Sequence, residues 1–138
     1  MRTHLMNRAP ALADEARIFS VRLDPGDEVM EKLAAFADEN GIAQGVFEAI
    51  GGFEEFSLAR YEVRTKRFVD IPIDPDQVEV LSLTGLVTQA NDPPVHIHTV
   101  LGDVEGNAFG GHLMRAVVQP VLLVSLTETV HEIPSHHV

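Results

Sequence analysis

The chain contains no cysteine and no tryptophan, and it has a single tyrosine. The absence of cysteine excludes disulfide bonds and thiolate chemistry, so any bound metal must take nitrogen and oxygen ligands. No apolar run approaches the ~20 residues that a membrane-spanning helix needs, which argues against a membrane protein. Residues 1–14 include no apolar segment of the secretory type. We therefore expect a cytoplasmic protein.

Basic residues are also scarce. The chain has 10 lysines and arginines and 21 acidic residues, which gives a net charge of −11. This charge repels nucleic acid at long range and makes direct DNA binding doubtful. We interpret the one basic concentration as a solvated hairpin tip, since a phosphate-binding surface needs several converging cations. Its members are Arg60, Arg64, Lys66 and Arg67.

The length and composition predict one folded domain. With 138 residues, of which 45% are hydrophobic and 22% charged, the chain is long enough to bury a core and is too apolar to be disordered. We expect a flexible N-terminal segment over residues 1–15, the domain over 16–131, and a flexible C-terminal tail over 132–138.

Hydrophobic periodicity predicts an α+β domain with a mainly antiparallel sheet and one principal helix. Residues 18–23 alternate as a strand, and residues 28–40 follow the helical period, with Asp27 as the N-cap and Gly41 just past the helix end. Short strands separated by turns follow. Residues 121–124 do not alternate, so this segment is either buried on both faces or covered by another subunit. The predicted later strands are 45–50, 53–63, 67–71, 78–88, 95–101, 108–113 and 117–129.

Three histidines carry most of the functional information. His96 and His98 are two residues apart on a predicted strand, so their side chains point to one face. If the turn at residues 103–107 closes a hairpin, His112 falls opposite His98. Three neutral imidazoles suit a borderline-soft divalent metal such as Zn²⁺. The sequence predicts a metal site that loses its ion near the ordinary histidine pKa of about 6.5. The alternative is that they are ordinary surface or core histidines.

Other candidates are weaker. Glu48 lies on an apolar strand and is either a general base near the metal or a solvated carboxylate. Gly110 and Gly111 either allow close approach of a ligand or form a bulge that aims His112. Three histidines close to the C-terminus, which we do not expect to form a closed site, are His131, His136 and His137.

The order of these motifs resembles the plant and prokaryote conserved domain, also called the PPC or PD1-like domain and formerly DUF296. The resemblance covers residues 17–130, and the histidine and glycine signature is its most specific part. The matching segments are residues 17–19, 22–28, 36–37, 49–51 and 79–85, followed by His96, Ile97, His98, Leu101, Gly106, Gly110, Gly111, His112 and Leu113.

The resemblance implies a strongly curved antiparallel sheet with one helix, a homotrimer, and a fold similar to that of α-acetolactate decarboxylase and of a zinc-dependent ester hydrolase. It also implies zinc or a similar divalent metal bound by His96, His98 and His112. Many prokaryotic members carry a DNA-binding name by analogy with plant proteins, in which an AT-hook built on Arg-Gly-Arg-Pro contacts DNA. This chain contains no such motif.

Two classes of function follow. The first is a homotrimeric metal-binding module with a regulatory or DNA-associated role and little DNA affinity of its own. The second is a zinc-dependent hydrolase or lyase, because three protein ligands leave a fourth coordination position for water or a small-molecule ligand. The sequence does not decide whether the protein is an enzyme.

Overall fold

The structure is a computed structural model that describes residues 2–5, 16–74 and 76–136. These residues form one seven-stranded antiparallel sheet and one α-helix, which confirms the predicted α+β class. The helix α1 spans Val29–Glu39 between the second and third strands. In chain order the strands are β1 (Arg2–Leu5), β2 (Ile18–Leu23), β3 (Gln44–Glu62), β4 (Arg67–Ile71), β5 (Val78–Thr88), β6 (Val95–Gly102) and β7 (Ala108–Glu128).

The sheet is strongly curved because it closes on itself. Its strand order is β1-β2-β7-β6-β5-β3-β4, and β7 also pairs with β3 along much of its length. Strands β3, β5, β6 and β7 therefore form a closed ring, from which β2 with β1 and β4 extend. Closure leaves these four strands with few free edges.

Helix α1 packs its apolar stripe into the core and has defined caps. Its buried residues include Phe36, whose ring meets that of Phe19 edge-on at 5.2 Å between centroids. The predicted N-cap, Asp27, is wrong by one residue. Glu28 is the N-cap, because its carboxylate accepts hydrogen bonds from the backbone N–H of Glu31 and of Ala116 on β7. The cap thus ties the start of the helix to the central strand.

Gly41 ends the helix as predicted. Its φ of +64° lies in the left-handed region, where glycine has no steric penalty. The Gly41 N–H donates to the carbonyl of Asp38, and the Ile42 N–H donates to the carbonyl of Ala37. These two bonds are the Schellman pattern that satisfies the last carbonyls of a helix.

Strands β3 and β7 are each continuous where the sequence predicted two strands. Gly51 and Gly52 fall between the predicted strands 45–50 and 53–63, where a turn was expected, but β3 runs through them with shifts in register. A Cβ atom on Gly51 would lie 2.0 Å from the carbonyl oxygen of Val121. These glycines let β3 approach β7 closely, so the signal was for close backbone packing and not for a turn.

Buried and exposed side chains alternate along the segment 121–124, which contradicts the prediction that it is buried on both faces within one chain. Leu122 and Val124 are buried, whereas Leu123 is 51% exposed. Burial on both faces within one chain is therefore wrong. Cover by a second subunit stays a prediction.

The structure places an edge strand ahead of the expected start of the domain, and the domain limits of 16–131 stay a prediction. Residues Arg2–Leu5 pair with β2 as an edge strand, although the sequence placed residues 1–15 outside the domain. Residues 6–15 lie outside the described residues, and the flexibility predicted for both termini stays a prediction. No helix within the described ranges is long and apolar enough to cross a membrane.

Candidate metal centre

The hairpin of β6 and β7 places two of the predicted histidines side by side. His98 and His112 are direct register partners, as the hairpin prediction required. The turn between the strands is fixed by Asp103, whose carboxylate accepts hydrogen bonds from the backbone N–H groups of Glu105 and Asn107 at 2.9 and 2.8 Å. An Asx turn of this kind sets the hairpin register locally.

The glycines before His112 serve packing. Strand β7 runs between β6 and β3 at this point, and His112 pairs with Ala59 on the second side. A Cβ atom on Gly110 would lie 2.8 Å from the carbonyl oxygen of Thr99, and one on Gly111 would lie 3.0 Å from that of Ala59. The β6–β7 register runs without a shift through both glycines, so the bulge expected there is absent from this described pairing.

The third histidine joins the other two on the same face. His96 and His98 alternate with buried Val95, Ile97 and other core residues, so both imidazoles point away from the core. The ring centroids are 5.1 Å apart for His96 and His98, 4.7 Å for His96 and His112, and 5.4 Å for His98 and His112. One nitrogen from each ring lies within 4.8 Å of the others. The three histidines therefore form one cluster.

The spacing of the rings fits a shared ion. A tetrahedral zinc with ligand bonds of ~2.0–2.1 Å holds the centroids of two imidazoles about 5.2 Å apart. The three observed separations bracket this value. Small side-chain rotations would bring the ligand nitrogens, now within 4.8 Å of one another, to their coordination distance.

Burial and mutual repulsion keep two of the rings neutral. The pKa of His96 and of His112 is lowered to about 4, chiefly by burial and also by repulsion from the neighbouring histidines. Among the described residues, the Nε2 of His96 and the Nδ1 of His112 are buried without a hydrogen-bond partner. Neutral imidazoles with such nitrogens are the form that binds a metal.

Two further aromatic rings contact the histidine cluster, and the sequence analysis had assigned neither of them to it. Phe68 on β4 lies 4.4 Å from His112 between ring centroids, and its own ring meets Tyr61 at 5.2 Å. His136, in the C-terminal segment, stacks on His96 at 5.0 Å with 22° between the ring planes. No local sequence pattern predicts either contact, because Phe68 and His136 lie far along the chain from the histidines that they contact. The side chain of His131 is exposed, and His137 lies outside the described residues.

Open grooves flank His98 on two sides. The first, of about 510 Å³, is lined by His96, His98, Glu48 and the hydroxyl residues Thr84 and Ser125 among others. Glu48 pairs with Thr84 across β3 and β5, and Thr84 pairs with His98 across β5 and β6. The predicted carboxylate is thus exposed and two strands away from His98 on the same groove.

The second groove, of about 470 Å³, brings Arg60 to the histidine cluster. The sequence had assigned this arginine only to the basic hairpin. The groove is lined by His98, His112, Arg60 and Tyr61 among others. Arg60 also lies 3.5 Å from the carboxylate of Glu62. The remaining basic residues, Arg64, Lys66 and Arg67, are exposed around the β3–β4 turn, as the solvated hairpin interpretation predicts.

The sequence profile of the Plants and Prokaryotes Conserved (PCC) domain matches residues 12–130. The chain belongs to this family. The resemblance drawn from the histidine and glycine motifs is therefore confirmed, since PCC and PPC name the same domain.

Solved structures share the fold of this PCC domain. The plant- and prokaryote-conserved protein of Pyrococcus horikoshii is 26% identical with a TM-score of 0.78, over 97% of this chain and 86% of that one. A metal-containing protein of Archaeoglobus fulgidus is 31% identical with a TM-score of 0.75, over 86% and 83%. A protein of Bacteroides thetaiotaomicron, described as a candidate DNA-binding protein, is 24% identical with a TM-score of 0.74, over 95% and 87%.

Two further matches cover a smaller share of the matched protein. A Staphylococcus aureus protein similar to α-acetolactate decarboxylase shares the fold, with 14% identity and a TM-score of 0.56 over 84% of this chain and 52% of that one. The bifunctional protein GlmU of a Synechococcus strain is 28% identical over 105 residues. That match covers 75% of the PCC chain but 16% of the GlmU chain.

Proposed function

We propose that this PCC domain is a homotrimeric metal-binding module with a regulatory or DNA-associated role and little DNA affinity of its own. The observation that carries the metal assignment is the convergence of His96, His98 and His112, with ligand nitrogens within 4.8 Å of one another. The relative from Archaeoglobus fulgidus, described as metal-containing, supports it.

Zinc or a similar divalent metal fits the donor set. The chain offers no thiolate, and three imidazoles suit borderline-soft ions. Histidines on β6 and β7 would hold such an ion across the hairpin, and the ion would add a cross-link between the two strands. Because the unfolded chain lacks a formed site, binding would stabilise the folded state.

The metal assignment is tested by removing its most exposed ligand. We expect His98→Ala to lower the divalent ion retained after extensive dialysis well below one per chain, because the loss of an imidazole ligand weakens zinc binding. His98 is exposed, so the variant keeps its fold. Elemental analysis of the untagged protein is the measurement, with circular dichroism to check folding.

His131→Ala is the matched control for this experiment, since His131 is also exposed and lies outside the cluster. It should retain metal as the parent protein does. Undiminished metal in His98→Ala would remove the assignment.

An apolar patch supports the trimer. Ile50, Leu81 and Leu123 are 60%, 50% and 51% exposed and line one shallow groove. Ile50 and Leu123 are direct register partners on β3 and β7. Large apolar side chains grouped at the surface favour association, and closed cyclic symmetry is the usual form of a homo-oligomer.

The trimer is tested by charging this patch. We expect Leu123→Asp to convert a trimer into monomers, because three buried carboxylates would each lack a partner. Light scattering after size exclusion at micromolar concentration measures the mass. Val104→Asp, at a 92% exposed apolar position outside the patch, should stay trimeric. A parent protein with the mass of one chain would contradict the proposal.

A zinc-dependent hydrolase or lyase is the second candidate, and the two grooves favour it. They place the carboxylate of Glu48 and the guanidinium of Arg60 on different sides of His98. A metal with an open position would supply an activated water or polarise a carbonyl. Metal-dependent turnover that disappears in Glu48→Gln with unchanged metal content would favour this candidate over the module.

A further inference from the structure

The C-terminal segment is anchored beside the histidine cluster by Asn91. The Oδ1 of this side chain accepts hydrogen bonds from the Oγ of Ser135 at 3.2 Å and from the backbone N–H of His136 at 3.1 Å. Asn91 lies in the β5–β6 connection, four residues before the start of the histidine strand β6 at Val95. The segment therefore crosses from the end of β7 to the edge where His96 begins the cluster.

The ring of His136 is held in the tautomer of a metal ligand. Its Nδ1 lies 3.0 Å from the carbonyl oxygen of Pro134. Because a carbonyl only accepts, Nδ1 must carry the proton, and Nε2 of the neutral ring keeps a free lone pair. Ligating histidines commonly donate their second ring N–H to a backbone carbonyl in this way.

The Nε2 of His136 is one of a small group of buried atoms that lack a hydrogen-bond partner among the described residues. Three buried side-chain nitrogen or oxygen atoms of the described residues have no hydrogen-bond partner, and all three are imidazole nitrogens: His96 Nε2, His112 Nδ1 and His136 Nε2. Two of them belong to the cluster already assigned to the metal. A buried polar atom without a partner is costly, which one shared ion would explain for all three.

We propose that His136 is the fourth ligand of the metal held by His96, His98 and His112. This inference rests on the metal site proposed above. The ring of His136 stacks on that of His96 with 5.0 Å between centroids, so it lies beside the cluster without yet pointing its free nitrogen at the shared ion. Among the ring contacts of the described residues, His136 meets His96 and neither of the other two. Ligation therefore draws its ring inward through a change of side-chain torsions.

A fourth imidazole changes what the site does. Four protein ligands close the coordination of zinc, as in structural sites, whereas three leave a position for water or substrate. The C-terminal segment would then seal the metal, and any small molecule would have to displace His136 to reach it. The ligand is carried on a segment outside the sheet, so the seal is removable.

The test counts imidazoles on zinc in untagged, full-length protein. X-ray absorption spectroscopy should give four imidazoles in the parent and three in His136→Ala, with an oxygen ligand in the fourth place. Competition with a chromophoric chelator should show the zinc Kd rise at least tenfold, since even residues that only orient a ligand cost ~10–100-fold. Asn91→Ala should weaken binding in the same direction, because it releases the backbone of His136.

His131→Ala is the matched control, because it removes an exposed histidine from the same segment. Its Kd should stay within twofold of the parent value. Three imidazoles in the parent protein, or equal Kd values for His136→Ala and His131→Ala, would overturn the proposal while leaving the three-histidine site intact. A parent protein that binds no zinc would instead overturn the proposed function.

Discussion

At the residue scale, the chemistry of the cluster depends on how burial acts on single imidazoles. His96 and His112 are half-buried beside other histidines, and a charged imidazole there is disfavoured by lost hydration and by its neighbours. Burial leaves one nitrogen of each ring without a hydrogen-bond partner, which destabilises the metal-free protein. It also keeps the lone pair of that nitrogen available to a metal. Two of the three imidazoles are thus kept in the neutral form that a metal requires.

We expect bound zinc to be retained to a lower pH than the sequence predicts. Protons compete with the metal at His96 and His112 only near pKa values of about 4, not near 6.5. Occupancy should therefore hold as the pH falls from 7 to 5 and decline as it approaches 4. Dialysis at stepped pH followed by elemental analysis measures this. Half-release near pH 6.5 would contradict this expectation.

The same lowered pKa values determine whether acid stabilises or destabilises the metal-free protein. Both folded-state pKa values lie below the ordinary 6.5, so the unfolded chain takes up protons first as the pH falls. Their contribution to the free energy of unfolding is therefore present above pH 6.5 and is lost between pH 6.5 and 4. Chelator-treated protein should show a falling thermal midpoint across that window.

The sequence could predict the three-histidine cluster because its geometry is local. Strand period sets His96 beside His98, and a short turn sets His112 opposite. The contacts of Phe68 and His136 could not be predicted, since they depend on how β4 and the C-terminal segment fold back over β6 and β7. The N-cap was misplaced by one residue because Glu28 gains a bond from β7 that no local rule contains.

At the element scale, β3 and β7 determine the shape of the sheet. Each pairs with different partners along its length, so β3 bonds to β5, β7 and β4, and β7 bonds to β2, β6 and β3. Register shifts at Gly51 and beyond allow a single strand to bend between these partners. The sequence indicated breaks there, because glycine pairs are also turn signals, and only the position of β7 decides between the two.

We expect Gly51→Ala to destabilise the protein by about 3 kcal/mol, combining backbone strain with a clash. Its φ is +153°, and the added Cβ would lie 2.0 Å from the backbone oxygen of Val121. Gly106→Ala separates the two causes, because Gly106 has a φ of +85° and no atom within 4 Å of its Cβ position. It should cost about 1 kcal/mol. Denaturant unfolding measures both, and equal losses would contradict the clash.

At the scale of the whole molecule, charge and apolar surface point to different partners. The net charge of −11 opposes a polyanion, whereas the apolar patch of Ile50, Leu81 and Leu123 favours contact with another copy of the chain. The basic residues at the β3–β4 turn are exposed and few. A trimer would repeat them three times, which is the one arrangement that could concentrate positive charge.

We expect the protein to bind duplex DNA weakly or not at all at ~150 mM salt, where screening leaves only short-range contacts. Specific binding needs converging phosphate contacts and side chains that reach base edges. Fluorescence anisotropy with a labelled duplex is the measurement. Submicromolar affinity that disappears in the Arg64→Ala, Arg67→Ala double variant would restore a direct DNA-binding role. The Arg22→Ala variant, with its arginine beside Asp24 and away from this turn, is the matched control.

The position of β7 in the sheet also bears on how the chain acquires its structure. This last strand joins β2, β6 and β3, so a nascent chain that has not yet reached Ala108 lacks the element that connects the others. Pairings such as Phe19 with Leu126 close loops of about three quarters of the chain, and such distant pairing slows folding. Until the ribosome releases this strand, the earlier strands expose unpaired edges to aggregation and to chaperones.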